Sequence, residues 1–252
     1  GGKNLKNSFS KKIGAVIQAR MGSERLPGKA LMKVGGKPIL EHILGNLKAS
    51  KYLSQIILAT TKQDEDTALL ELAEKLQVDG FAGSENDVLT RYIDAANAFQ
   101  LDVVVRITGD NILTDVEGMD KTIALYLKRE PDVATNGGEE GYPLGTAVEV
   151  LSASLLQKLN KIVCFHEERE HVTLHLYKNQ EKYRISYLKA PVAYKNNIRL
   201  TIDSPEDLAL IRLVYEKLRE RKEDFKLPFV VKCFRKHKEI VKINSHIKQR
   251  SF

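Results

Sequence analysis

The sequence predicts a three-layer α/β fold built on a mostly parallel sheet. Two observations carry this. Apolar, strand-like runs alternate with amphipathic helical runs through the first half of the chain, as in successive β-α-β units. Polar clusters with chemical potential follow directly after the strands, where open parallel sheets hold ligands at a switch in strand order. The 252 residues suffice for one large domain with a full core.

The elements are read in chain order. Ile13–Gln18 is an apolar strand, followed by a loop with two glycines and three cations. Pro38–Lys48 is a helix with Pro at its first position and Ile39, Leu40, Ile43, Leu44 and Leu47 on one face. Gln55–Thr60 is a second strand, and Asp64 or Asp66 caps a helix reaching about Leu76. Ser84–Asp87 caps the helix Val88–Phe99, and Asp102–Ile107, with three consecutive valines, is the most β-rich run.

The second half is less regular. A Gly-rich loop, 136–145, runs into a short strand, Thr146–Val150. Helical patterns cover Ala153–Leu159 and Cys164–Tyr177, then come a strand at Tyr183–Leu188 and an extended segment at Arg199–Ile202. Pro205 opens a helix to about Arg219. Between Lys232 and Arg250 seven cations face one acid, Glu239, which reads as a solvated basic helix or tail. The organisation expected is one domain over 12–246 with a lid or dimerisation insertion at 136–195. Residues 1–11 are a processed or engineered end and 247–252 a basic tail.

Composition excludes several classes. With 42% hydrophobic and 29% charged residues the chain is that of an ordinary globular protein. No apolar run approaches the length of a membrane span, which needs about 18 residues, and the polar N-terminus is no secretory signal. Cys164 and Cys233 form no disulfide framework, so cytoplasm is the default compartment. The net charge of +7 suits nucleic acid, an anionic surface or an anionic small substrate, and with no nucleic-acid-binding motif beside it nucleic acid is the minor alternative.

Three clusters carry the chemistry. In the loop Gln18–Lys29, glycines allow close backbone approach, and free N–H groups with Arg20, Arg25 and Lys29 suit phosphate oxygens. The spacing is not that of the Gly-x-x-x-x-Gly-Lys-Ser/Thr phosphate loop. Arg106-Ile107-Thr108-Gly109-Asp110 closes the valine-rich strand, and Thr201-Ile202-Asp203-Ser204-Pro205 leads into the last long helix. Singly, these are a solvated loop, a turn aspartate and a helix cap. Together they place a cationic cradle and two carboxylates at one sheet edge, and Mg²⁺ binds one or two carboxylates plus phosphate oxygens and water. His171 and His175 stand at i, i+4 but lack a third ligand and the His-Glu-x-x-His pattern, so they read as structural or substrate-facing. Tyr183, Tyr187 and Tyr194 read as packing residues, and Glu65-Asp66 and Glu167-Glu168 as solvated helix-start charges.

The run Gln18-Ala19-Arg20-Met21-Gly22-Ser23-Glu24-Arg25-Leu26-Pro27-Gly28-Lys29 resembles the opening of the spore-coat polysaccharide cytidylyltransferase-like family. That family is related to the acylneuraminate and 3-deoxy-manno-octulosonate cytidylyltransferases. The similarity continues through 83–92, 106–110, 169–173 and 201–208 to Asn244, covering about residues 12–246. The resemblance implies a nucleotide-diphospho-sugar transferase fold and an Mg²⁺-dependent transfer from CTP to a sugar or sugar acid, with pyrophosphate released. Arg20, Lys29 and Asp110 would be catalytic. Ala19, Gly22, Ser23 and Arg25 would join them on the nucleotide, with Ser84, Asp87 and Arg91 near the nucleoside. Asp110 and Asp203 would hold the metal. Asn111, Tyr142, Gly145, Glu149, Glu170 and His171 would contact the sugar. A homodimer, with no nucleic-acid or membrane partner, is also implied. Where the family usually continues Gly-Asp with Cys-Pro, this chain has Asn111-Ile112. The alternatives are a glycosyltransferase using a nucleotide sugar, whose Asp-x-Asp pair is missing here, and a catalytically silent nucleotide-binding subunit.

Overall fold

The computed structural model describes residues 10–195 and 197–249. Of the processed end expected at 1–11, and of the basic tail at 247–252, the greater part of the first and half of the second lie outside the described residues. Among the described residues seven strands form one sheet in the order β5-β4-β1-β6-β8-β7-β9. They are β1 (Ile13–Gln18), β4 (Gln55–Thr61), β5 (Asp79–Gly83), β6 (Val103–Thr108), β7 (Val133–Thr135), β8 (Glu149–Ser152) and β9 (Ile185–Tyr187). A separate two-stranded ribbon joins β2 (Lys33–Val34) to β3 (Lys37–Pro38). Within the large sheet β5, β4, β1 and β6 are all parallel, whereas β8 runs antiparallel to both β6 and β7.

The expected three-layer, mostly parallel architecture follows from the alternation of side chains along the strands. Ala15 and Ile17 of β1, with Val103, Val105 and Ile107 of β6, face one core. That core is closed by α1 (Ile39–Leu47), α2 (Thr67–Lys75), α4 (Val116–Arg129), α8 (Pro205–Glu220) and α9 (Leu227–Lys236). Val16 and Val104 face the other core, closed by α3 (Val88–Ala98), α5 (Ala153–Ile162) and α7 (Leu174–Lys178). Strands buried on both faces give the continuous apolar runs seen in the sequence.

Several elements depart from expectation. The edge strand β5 contains Gly80 and Gly83 and offers no apolar alternation to read. Helix α4 was not expected, although Met119, Ile123 and Tyr126 recur at helical spacing behind the Asp115 cap. The single helix expected over Cys164–Tyr177 is broken into α6 (His166–Glu170) and α7. Between them buried Val172 adopts a left-handed φ of 49°, so packing overrides periodicity. The strand expected at Thr146–Val150 begins only at Glu149, and Arg199 makes only an isolated bridge to Leu144. The basic C-terminal region is not a solvated tail: α9 buries Val230, Val231, Cys233 and Phe234, and Asn244 is buried beyond it.

The start of α8 is the most heavily tied corner. Pro205 occupies the first turn, and Ser204 and Asp207 form a reciprocal capping box. Asp207, fully buried, also accepts from the Asp203 N–H at 3.0 Å, Arg199 Nε at 2.9 Å and Asn244 Nδ2 at 2.9 Å. Gly145 allows the chain beside this corner: its φ is +95°, and a Cβ there would lie 2.3 Å from the Thr201 nitrogen.

Burial alone would raise the Asp207 carboxyl, but Arg199, the Asp203 N–H and Asn244 outweigh it and hold it below the usual carboxylate range. Its contribution to stability is therefore present at neutral pH and lost as pH falls below that range. Asp207→Ala leaves the nearly buried Arg199 guanidinium with Asp203 as its remaining carboxylate and removes the acceptor of the Asp203 N–H and of Asn244, and we expect a loss of about 3 kcal/mol. Urea unfolding at pH 7 and at pH 3 checks this: the gap between wild type and variant should shrink in acid.

Candidate active site

The strand order switches between β1 and β6. From β1 the chain steps outward through β4 to β5, then returns to place β6 on the other side. The carboxyl ends of β1 and β6 therefore open a crevice. A cavity of about 650 Å³ lies there, lined by Gln18 at the end of β1 and by Thr108, Gly109 and Asp110 beyond β6.

The loop after β1 is held from below. The Met21 N–H donates to Asp66 Oδ1 at 2.7 Å, and the Gly28 N–H closes the loop on the Met21 carbonyl at 2.8 Å. Gly28 sits at φ 73°, a turn that carries Lys29 back toward the sheet edge. Asp66 is fully buried and also accepts from Thr61 Oγ1. Its expected role as a solvated helix-start charge is thus corrected: it anchors the loop. Among the described residues the main-chain N–H groups of Arg20, Gly22 and Ser23 have no hydrogen-bond partner, as a phosphate cradle requires.

The two aspartates meet across Lys29. Its ammonium lies 2.5 Å from Asp110 Oδ1 and 3.3 Å from Asp203 Oδ1, and donates to the Ile202 carbonyl at 3.0 Å. Arg199 Nη2 lies 3.0 Å and Arg25 Nη2 3.8 Å from the other oxygen of Asp203. Because Ser204 is the helix cap, Asp203 is free to face the cavity. Burial raises the Asp110 carboxyl, Lys29 opposes this, and Asp203 adds to it; the net shift is upward. Two carboxylates crowded this way favour a cation between them. Among the described residues no group of three or more His, Cys, Asp or Glu could close a metal shell. A divalent ion here would therefore complete its coordination with phosphate oxygens and water, the habit of Mg²⁺.

The structure brings together most of the residues singled out from the sequence. Ala19, Arg20, Gly22, Ser23, Arg25 and Lys29 line one wall of the cavity. Asp110, Asn111, Asp203, Tyr142, Gly145, Glu170 and His171 line it as well. Ser84 and Asp87 are not in the lining. Asp87 instead caps α3 by accepting from the Thr90 N–H and receives Arg169 Nε at 2.8 Å. Arg91 reaches the cavity but is 2% exposed, and its guanidinium donates to the Ser84 and Glu85 carbonyls, so it shapes the wall. Glu149 is also outside the lining. Its carboxylate is engaged by Arg106 Nη1 at 2.8 Å, Thr173 Oγ1 at 2.9 Å and Tyr177 OH at 2.5 Å. In this structure Glu149 thus supports Arg106 rather than lining the cavity.

Sequence reasoning missed Gln18, Arg106, Glu85, Asn86, His166 and Gln249, all of which line the cavity. Gln18 ends β1 and Arg106 lies two residues before the end of β6, and both could have been found by their place near the strand ends. Nothing local marks Gln249, which comes near through the fold. His175 pairs with Glu168 at 3.4 Å, while His171 faces the cavity.

Among the described residues no helix is long and apolar enough to cross a membrane. Residues 15–239 match the family described as Cytidylyltransferase. The Methanocaldococcus jannaschii protein MJ1063 is 39% identical over 244 residues, 96% of this chain and 98% of that protein. The Bacillus subtilis spore coat polysaccharide biosynthesis protein SpsF is 34% identical over 212 residues, 82% of this chain and 87% of SpsF. A solved cytidylyltransferase from Leptospira borgpetersenii serovar Hardjo-bovis superposes with a TM-score of 0.85 at 31% identity, covering 96% of this chain and all of that one. The family match and these relatives each span most of the chain, and the chain belongs to the cytidylyltransferase family of nucleotidyltransferases.

Proposed function

We propose that this protein transfers the cytidylyl group of CTP to a hydroxyl of a sugar or sugar acid of surface polysaccharide, with Mg²⁺, releasing pyrophosphate. The observation that carries the reading is the Lys29 ammonium set between Asp110 and Asp203 in the cavity that the loop after β1 also lines, three of whose N–H groups have no partner among the described residues. The acceptor oxygen forms a bond to the α-phosphorus as the bond to the β-phosphate oxygen breaks, and the hydroxyl proton passes to water.

The chain's own residues do mainly positioning and charge stabilisation. Arg20 and the free N–H groups receive phosphate oxygens, and Arg25 extends that cradle. Lys29 follows the charge that grows on the leaving pyrophosphate, a role worth about 10²–10³ in rate for one such donor. Asp110 and Asp203 hold Mg²⁺, which offsets phosphate charge when bound. Asn111, Tyr142, Gly145, Glu170 and His171 border the volume left for the acceptor.

The reading is tested by thermal stabilisation with CTP, UTP, ATP and GTP, each with and without Mg²⁺. A ligand at a hundredfold excess over Kd stabilises by about 2.7 kcal/mol. A Mg²⁺-enhanced, CTP-selective rise is expected; no rise with any triphosphate would sink the proposal. Lys29→Met should slow pyrophosphate release by about 10²-fold or more, measured under saturating CTP.

Asp110→Asn separates activity from stability. In the ligand-free protein Asp110 keeps its proton to higher pH than it does in the unfolded chain. Stability therefore falls as pH rises from the usual carboxylate range through the raised folded value, and above it the ionised carboxylate is a net cost. The Asn variant should melt at the same temperature as wild type or higher at pH 7, lose that advantage in acid, and release essentially no pyrophosphate. Near-wild-type turnover would remove Asp110 from the metal site.

A further inference from the structure

Gln18 ends β1 and lines the cavity, and its side-chain oxygen lies 3.0 Å from Arg106 Nη2. A guanidinium has donors only, so the oxygen of the Gln18 amide must face Arg106 and the nitrogen must face away. Among the described residues that nitrogen, with its two donors, has no hydrogen-bond partner.

The orientation is fixed by a chain of groups on the α3 side of the sheet. The Arg106 side chain is 12% exposed, and its guanidinium carbon lies 5.7 Å from the centroid of the buried Tyr92 ring. Its Nη1 is held by Glu149 at 2.8 Å, and Glu149 in turn accepts from Thr173 and Tyr177. Five residues, Arg106 on β6, Tyr92 on α3, Glu149 on β8, Tyr177 on α7 and Thr173 just before it, thus set the direction of one amide through Arg106. A donor pair in the cavity lining with no protein partner is available to a ligand acceptor.

We propose that Gln18 is a nucleotide-recognition residue, its amide N–H group donating to an acceptor atom on the nucleoside part of CTP, and that Arg106 and Glu149 are the positioning residues that aim it. The proposal rests on the reading that this cavity takes CTP. Gln18 shares a face of β1 with Val16, toward α3, and the same wall carries Glu85, Asn86, Val88 and Arg91. The phosphate-directed groups Lys29, Asp110 and Asp203 converge separately from it. The pyrimidine carbonyl and ring nitrogen and the ribose oxygens are the acceptors that CTP offers beyond its phosphates.

Two substitutions test this. Gln18→Glu keeps an oxygen for Arg106 but offers no donor, and Gln18→Met removes both groups without adding charge. Dissociation constants for CTP and for inorganic triphosphate, each with Mg²⁺, are compared with the melting temperature of the unliganded protein. Both variants should bind CTP about tenfold or more weakly, bind inorganic triphosphate as wild type does, and keep the wild-type melting temperature. CTP binding within twofold of wild type in either folded variant would overturn the proposal. Equal weakening toward CTP and triphosphate would also overturn it, by marking Gln18 as a support of the phosphate loop. Wild-type protein that binds triphosphate but gives CTP no preference over it would bring down the CTP reading itself, and Gln18's role with it.

Discussion

Three ionisable groups from distant parts of the chain meet at one point, and the rest of the site is arranged around that meeting. Lys29 comes from the loop after β1, Asp110 from the end of β6 and Asp203 from the approach to α8. Two carboxylates this close repel one another and are partly withdrawn from water; without a cation between them the arrangement would not be held. Lys29 supplies that cation in the ligand-free protein. Its long flexible stem and compact charge also let it turn toward phosphate, which a rigid guanidinium would do less readily.

A second rank of buried polar residues keeps this triad in place. Asp66 pins the loop that ends in Lys29, and Asp207 pins the backbone of Asp203 while satisfying Arg199 and Asn244. Glu149 and Arg106 form the third support, beneath the end of β1. Each is a charged side chain whose partners lie on other elements, so each converts tertiary packing into the position of a loop. Buried networks of this kind tolerate little loss, because removing one member leaves another charge unpaired. The geometry of the cavity and the stability of the fold are therefore coupled at the same residues.

Much of this was legible in the sequence. The strands Ile13–Gln18 and Gln55–Thr61 and the helices at 39–47 and 88–98 stand where apolar periodicity put them. The loop cations and both aspartates reach one cavity, as their places after strands implied. What was misread has a common cause. Asp66, Asp87 and Glu149 look like surface or ligand-facing acids, yet each is consumed by a partner 45, 82 or 43 residues away along the chain. The break at Val172 and the burial of α9 likewise depend on what packs against them, which local periodicity does not encode.

By itself, then, the sequence determined the layer architecture and the chemical inventory of the site. Strand and helix periods, glycine-bearing turns and residue types are local properties, fixed by backbone sterics and by the burial of apolar faces. Only the tertiary structure decided which charges are spent on one another and which remain for a ligand. A carboxylate reads the same in sequence whether it faces solvent, a metal or an arginine. Its role is set by the partner that reaches it and by how much water is left around it, as the contrast between Asp110 in the cavity and Asp207 in the core makes plain.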